Sequence, residues 1–325
     1  MKIVVVGGAG YIGSHMVKAL VKQKHEVLVV DNLSTGFRNA VIDADFFEID
    51  IAQKQKIKDF LIENKPEAVF HFASFIQVGE SVNEPSKYYG NNVTATLSLL
   101  DAMIEAEIPY LIFSSTAAVY GRPEYIPIDE NHPKKPINPY GRCKLMVEQI
   151  LEDYDRAYGL KSVSLRYFNA AGSDPDSELG ERHEPETHLI PLALQAASGR
   201  RDFVSIFGND YDTEDGTCIR DYIHVSDLVD AHKKALDYLK KGNPSEVFNL
   251  GNGNGFSVNY LIKIVKKITQ KSIKIEEVDR RAGDPPILVS DASRARNVLG
   301  WEPKYTKLDQ IIEHAWNWEK KFPWN

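Results

Sequence analysis

Short apolar runs alternate with stretches of helical periodicity from the first residues of the chain. Ile3–Val6 is an uninterrupted β-branched run, the pattern of a strand buried on both faces of a parallel sheet. A helix is predicted from about Ser14 to Gln23, and Glu26–Val30 is a second β-branched run that ends in Asp31. Further strands are predicted at Phe46–Ile51, Ala68–Ala73, Leu111–Ser115 and Ser162–Phe168. This rhythm predicts an α/β protein with a doubly wound parallel sheet and helices on both faces. It breaks at Asn169–His188, which is rich in Gly, Pro, Asp and Glu. One domain is therefore expected over 1–168 and a smaller C-terminal α/β domain over 169–325. Tyr222–Leu239 reads as helix and Val247–Leu250 as strand, so the chain is expected to return to the first domain over about 222–250. Trp301-Glu-Pro303 and an amphipathic helix through Trp318 close the molecule.

The turn after the first strand carries Gly7, Gly10 and Gly13 at three-residue spacing. Glycine there permits a tight turn, close approach of backbone N–H groups to a pyrophosphate, and close packing of helix on strand. The helix beginning at this turn aims the positive end of its dipole at the phosphates. Asp31, eighteen positions after Gly13, can accept from both hydroxyls of an adenosine ribose. A carboxylate there would repel a 2′-phosphate, so the pattern favours NAD over NADP. Strand, glycines, helix and acid together define a Rossmann-type fold.

A chain of 325 residues with a formal charge of −7 is large enough for two domains without disulfide staples. The charge argues against general affinity for nucleic acid or anionic membrane, so a phosphate-bearing substrate has to be held by local Arg and Lys. The apolar opening is too short for a membrane span, and reading it as a signal peptide would remove the glycine loop. A cytoplasmic protein is expected. Two cysteines, Cys143 and Cys218, fit a reducing compartment and make no zinc spacing.

Asn138-Pro139 reads as a helix N-cap followed by proline at the first helical position, with Gly159 as the stop. Tyr140 and Lys144, four apart on this helix, share a face. A phenol needs its ordinary pKa of about 10 brought down to about 7 to act as a base at neutral pH, a change of about 4 kcal/mol. Lys144 and a positively charged nicotinamide are the expected sources. Tyr–Lys pairs at this spacing are also common on solvated helix faces. Thr116 follows the Leu111–Ser115 run, at the carboxyl edge where such sheets bind substrates, and its hydroxyl could bridge substrate and Tyr140. His71 is expected to be a packed histidine and Cys143 a small buried side chain rather than a nucleophile.

Gly7–Gly13, Asp31-Asn32, Asp50-Ile51, Phe72-Ala73, Ser115-Thr116, Tyr140–Lys144, Arg166-Tyr-Phe-Asn169 and Arg220-Asp-Tyr-Ile-His224 together resemble the extended short-chain dehydrogenase/reductase family. Pro139–Glu148, Ile206–Tyr211 and Thr213–Thr217 are similar to the branch that epimerises UDP-glucose and UDP-galactose at C4. The similarity runs through nearly the whole chain. It implies that Tyr140, helped by Thr116 and Lys144, takes the proton of the sugar 4-hydroxyl while C4 gives hydride to NAD. The resulting 4-keto sugar would turn in the site and be reduced on its opposite face. The resemblance implies NAD contacts from Gly7, Gly10, Tyr11, Ile12, Gly13, Asp31, Asn32, Asp50, Ile51, Phe72, Ala73, Asn91, Lys144 and Phe168. It implies that Thr116, Tyr140, Asn169, Leu189, Phe207, Arg220, Arg281, Asp284 and Leu288 hold the UDP-sugar, and it implies no metal.

Two positions depart from the family pattern. Ile76 stands where known members carry Lys, which weakens one contact to the nicotinamide side of NAD, and His188 replaces Asn before Leu189. A sugar-nucleotide dehydratase would need an Asp-Glu pair after Thr116, where this chain has Ala117 and Ala118. Epimerases of UDP-pentoses or UDP-uronic acids remain open, as does an NAD-sensing binding protein, a class that typically lacks the Tyr–Lys pair.

The Tyr140 helix carries Leu145, Met146, Val147, Ile150, Leu151 and Tyr154, and Val93, Leu97, Leu100 and Ile104 stripe an earlier helix. Family members pair through these two helices, so a homodimer is expected. By the same resemblance Leu288 borders the sugar C2 substituent. It stands between a tyrosine, which would crowd out an N-acetyl group, and a small residue, which would admit one.

Overall fold

The computed structural model describes residues 1–281 and 284–322. It divides into two compact units. The first comprises Met1–Arg122, Pro133–Arg166 and Val229–Phe248, and the second Pro123–His132, Tyr167–Leu228 and Asn249–Asn325.

The first unit is built on a seven-stranded sheet. Its strands are β1 (Lys2–Val6), β2 (Glu26–Asp31), β3 (Asp45–Glu48), β4 (Ala68–His71), β5 (Tyr110–Thr116), β6 (Lys161–Tyr167) and, after a long excursion, β10 (Glu246–Leu250). Their spatial order is β10-β6-β5-β4-β1-β2-β3, and β1 pairs parallel with both β2 and β4. Strand order therefore reverses at β1, which leaves a crevice beyond the carboxyl ends of β1 and β4. Ile3–Val6 are at most 1% exposed, as the unbroken apolar run requires.

The helices of this unit are α1 (Tyr11–Lys22), α2 (Lys54–Asn64), α3 (Val78–Asn83), α4 (Pro85–Tyr89), α5 (Ala95–Glu105) and α6 (Pro139–Tyr158). One face of α5 and α6 joins the core through Leu99, Leu100, Met103, Val147 and Leu151. Asn138 caps α6 by accepting from Gly141 N–H at 2.8 Å. Gly159 ends it in the left-handed region at φ 75°.

In the second unit β9 (Ile219–His224) pairs with β7 (Asn169–Ala171), β11 (Gly255–Ser257) and β13 (Ile287–Leu288), while β8 (Val204–Phe207) pairs with β12 (Ile275–Val278). Helices α7 (Leu189–Ser198), α9 (Val258–Thr269) and α11 (Leu308–Lys321) share a second core containing Ile190, Leu194, Leu261, Val265, Ile311 and Trp316. Helix α8 (Val225–Lys240) precedes β10, and α10 (Ser293–Leu299) lies near the C-terminal end. No helix among the described residues is long and apolar enough to cross a membrane.

Three local expectations are corrected. The helix expected from Tyr222 begins only at Val225, because Tyr222–His224 pair with Asn169–Ala171 and Ser226 N–H donates to His224 Nδ1 at 3.0 Å. The strand expected through Ile51 stops at Glu48. Beyond it Asp50 Oδ1 accepts from Ala52 N–H at 2.8 Å, a local side-chain bond that competes with strand pairing. The segment opening at Asn169 contains β7, a strand too short to carry a pattern.

Candidate active site

The glycine turn is dictated by contacts around it. Gly7 has φ +81°, and a Cβ there would stand 2.4 Å from Ala73 N. One at Gly13 would stand 2.1 Å from Gly7 O, so neither position has room for a side chain. A Cβ on Gly10 would meet nothing closer than Gly7 O at 3.4 Å. Gly10 is also the N-cap of α1 and makes no side-chain capping bond, so Tyr11, Ile12 and Gly13 form a first helical turn suited to an anion.

Asp31 ends β2 and is 9% exposed. Its Oδ2 accepts from Ala9 N–H at 2.9 Å and its Oδ1 from Leu33 N–H at 2.8 Å. Burial raises its pKa and these two bonds oppose the rise. Each oxygen keeps a lone pair for a ribose hydroxyl. Asn32 Nδ2 donates to Asp50 Oδ2 at 3.1 Å, which ties the end of β2 to the turn after β3, while Ile51 is buried in the core. Phe72 and Ala73 both donate backbone N–H to Val6 O. The glycine cradle, the uncapped helix end and the acid fit a dinucleotide pyrophosphate and adenosine ribose.

Asn91 donates to Asn92 Oδ1 at 2.8 Å, and Asn92 clamps Phe75 through both its backbone N–H and its carbonyl, each at 2.9 Å. Asn92 therefore fixes the loop carrying Ile76, a role that the sequence pattern did not single out.

Thr116, Tyr140 and Lys144 come together. A Cβ at Gly141 would stand 2.5 Å from Ala118 O, so this glycine lets the start of α6 close on the turn after β5. Thr116 Oγ1 accepts from Ala118 N–H at 3.2 Å, which leaves its proton for Tyr140, to which it is hydrogen-bonded. Lys144 is 3% exposed, donates to Ser114 O at 2.8 Å and lies 5.9 Å from the Tyr140 ring centroid.

Burial pushes the Tyr140 phenol up to about 12, against the Thr116 hydrogen bond that lowers it. Burial likewise brings the Lys144 ammonium down to about 7, with Cys143 and Glu148 opposing. These residues alone do not generate a phenolate, because desolvation of both groups outweighs their mutual attraction.

His71 is 1% exposed, its Nε2 lies 3.0 Å from Thr96 Oγ1, and burial drives its pKa down to about 3. Burial pushes Cys143 up to about 11, the setting of an inert thiol.

Beneath the site lies a buried network that sequence reasoning missed. Glu148, one turn beyond Lys144, takes Arg166 of β6 at 2.9 Å (Nε) and 2.5 Å (Nη2). Ser115 donates to the same carboxylate at 2.5 Å, and Arg166 also donates to Tyr120 at 2.9 Å. The signal available was an arginine inside Ser162–Phe168, a run expected to be a buried strand.

Apart from Thr116 and Tyr140, which belong to the first unit, the residues assigned to the UDP-sugar lie in the second unit, together with Phe168, whose N–H donates to Leu250 O at 3.2 Å. Arg220 lies 3.6 Å from Asp284, and Leu288 is its register partner across β9 and β13. Arg281 stacks over Phe207 at 4.3 Å. Asn169 donates to Asp221 O at 2.9 Å, and Leu189 opens α7. The Asp221 carboxylate accepts from Asn252, Gly253 and Ser290, bracing the strand that carries Arg220. Burial works against charge on His188, but the Glu181 and Glu186 carboxylates outweigh it and push this imidazole up to about 10.

A dinucleotide cradle with a Thr–Tyr–Lys set at the sheet edge defines a short-chain dehydrogenase/reductase of the extended type. The NAD dependent epimerase/dehydratase family matches residues 3–251, and the chain belongs to it. The chain is 50% identical over 323 residues to a UDP-glucose 4-epimerase from Halalkalibacterium halodurans, covering 99% of this chain and 97% of that protein. It superimposes with a TM-score of 0.95 on a UDP-glucose 4-epimerase from Brucella ovis in complex with NAD, at 49% identity and 97% coverage of both chains. A UDP-Glc/GlcNAc 4-epimerase from Campylobacter jejuni matches with a TM-score of 0.86 at 48% identity, over 99% of each chain.

Proposed function

We propose that this chain is an NAD-dependent UDP-sugar 4-epimerase that interconverts UDP-glucose and UDP-galactose. The carrying observation is the Thr116–Tyr140–Lys144 set followed by Ala117-Ala118, on a chain about half identical to UDP-glucose 4-epimerases over nearly its full length. The alanines offer no acid to expel water from C6, which separates this site from that of a dehydratase.

NAD, held by Gly7, Gly10, Gly13 and Asp31, supplies the chemistry of removing hydride from C4 and returning it to the opposite face of the 4-keto sugar. Tyr140 takes the 4-hydroxyl proton and later gives it back. Thr116 donates to the developing phenolate, and its own oxygen is held by Ala118 N–H. Lys144, fixed on Ser114 O, places its amino group toward the cofactor ribose. Lys144 and the positive nicotinamide of bound NAD would together bring Tyr140 into the useful range. Arg220 and Arg281 neutralise the diphosphate, Asp284 orients Arg220, and Asn169, Leu189 and Phe207 contact the nucleotide.

Purified protein given UDP-galactose should produce UDP-glucose with no net consumption of NAD, and absence of that product would overturn the assignment. Leu288, beside Arg220, supports turnover of the N-acetylhexosamine pair as a slower second reaction. A cytoplasmic homodimer is part of the same reading. Leu145, Met146, Val93 and Leu97 keep surface on α5 and α6 and on the turn before α5, although Ile104, Ile150 and Tyr154 are partly used by the core. A monomer in light scattering at micromolar concentration would refute the dimer.

A further inference from the structure

We propose that Glu181, His183, Glu186 and His188 form a binding site for a divalent transition-metal cation of the Zn²⁺ class, in the loop that leads into α7. One ligand atom from each of the four residues falls within a common 4.8 Å. His183 Nδ1 lies 3.6 Å from Glu181 Oε1 and 3.2 Å from Glu186 Oε2. His188 Nδ1 lies 3.0 Å from Glu181 Oε1 and 2.9 Å from Glu186 Oε1. Ligands at about 2.0–2.1 Å from a tetrahedral zinc stand about 3.3 Å from one another. The four nitrogen–oxygen separations bracket that value, with Glu186 presenting Oε2 to His183 and Oε1 to His188.

Hydrogen bonding satisfies this arrangement poorly. Each Nδ1 carries at most one hydrogen, yet each faces two carboxylates, so two hydrogens are shared among four contacts. A cation at the centre engages all four groups at once. Both carboxylates are removed from water, with side-chain exposures of 6% and 5%, and buried carboxylates need facing positive charge; without an ion a protonated imidazole supplies it, and a bound cation takes its place with release of the proton to solvent. Glu186 is also oriented in advance, since its Oε1 accepts from Thr187 N–H at 2.7 Å and His188 N–H at 2.8 Å. Outer-shell bonds of this kind position metal ligands.

Two imidazoles and two carboxylates form a borderline donor set. It suits zinc better than calcium or magnesium, which take oxygen ligands throughout, and better than thiolate-seeking ions. His188 retains 43% side-chain exposure, which gives an ion a route in. The ion's role would be positioning, because His188 immediately precedes Leu189, the first residue of α7, and the site ties that junction to Glu181.

Untagged full-length protein, stripped with a chelator and dialysed against micromolar Zn²⁺, should retain about one equivalent per chain. Co²⁺ in its place should give the intense visible bands of a four-coordinate ion. His183→Ala and the near-isosteric Glu186→Gln should each weaken Zn²⁺ binding by more than the roughly 10–100-fold typical for losing an outer-shell partner. Zn²⁺ should raise the thermal midpoint of the parent protein and leave that of His183→Ala unmoved. Circular dichroism of both variants separates lost binding from lost fold. The proposal is overturned if the parent protein binds no more Zn²⁺ than a Glu181→Gln/His183→Ala double variant, or if the Co²⁺ spectra of the two are the same.

Discussion

Replacing Glu148 with alanine tests how the catalytic helix is held. Glu148 and Arg166 are 4% and 2% exposed, and the bidentate pair joins α6 to β6 while Ser115 brings in the end of β5. Truncation leaves the Arg166 guanidinium buried with Tyr120 as its remaining hydrogen-bond acceptor among these contacts. An uncompensated buried charge costs about 3–5 kcal/mol, and the lost acceptor for Ser115 adds about 1 kcal/mol. A loss of about 4–6 kcal/mol is a large fraction of the roughly 5–15 kcal/mol that keeps a typical domain folded. Urea denaturation should therefore show a strongly lowered midpoint, and residual activity should fall because Tyr140 and Lys144 ride on the same helix. Glu148→Leu combined with Arg166→Met removes both charges, so the double variant should recover most of the stability lost in the single one. A Glu148→Ala loss below about 1 kcal/mol, or a double variant no better than the single, would refute the reasoning.

Tyr140→Phe should lower kcat by about 10²–10⁴ with NAD still bound, and Thr116→Val should slow turnover non-additively with it; full activity in Tyr140→Phe would remove the base from the mechanism. Asp31→Ala should weaken NAD binding and relax discrimination against NADP, measured by titrating both cofactors. Leu288→Tyr should depress kcat/KM for the N-acetylated substrates relative to the simple hexoses by about tenfold or more, and an unmoved ratio would place Leu288 outside the sugar pocket. Burial lowers Lys144 from 10.5 to about 7, so between those pH values the unfolded chain binds more protons and this residue makes stability rise with pH. Lys144→Met should flatten the rise in cofactor-free protein, and an unchanged slope would count against a buried, depressed lysine.

The sequence by itself determined the strands of the seven-stranded sheet and the dinucleotide signature, because these are local. A β-branched run such as Ile3–Val6 has one use in an α/β sheet, and Gly13, Asn138 and Gly159 each answer a steric or capping requirement within a few residues, while Gly7 answers a local need for positive φ. The Thr–Tyr–Lys set was legible for the same reason, since helical spacing puts Tyr140 and Lys144 on one face and Thr116 ends a recognisable strand. Only the tertiary structure decided the electrostatic state of that set. Desolvation depends on what surrounds a group in space, and here it raises Tyr140 and lowers Lys144, the reverse of what an exposed phenol beside an ammonium would show. The same holds for Glu148 with Arg166, eighteen residues apart, and for Tyr222–His224, whose helical pattern gives way to pairing with Asn169–Ala171. Their partners are chosen by chain folding, and no local period encodes that choice.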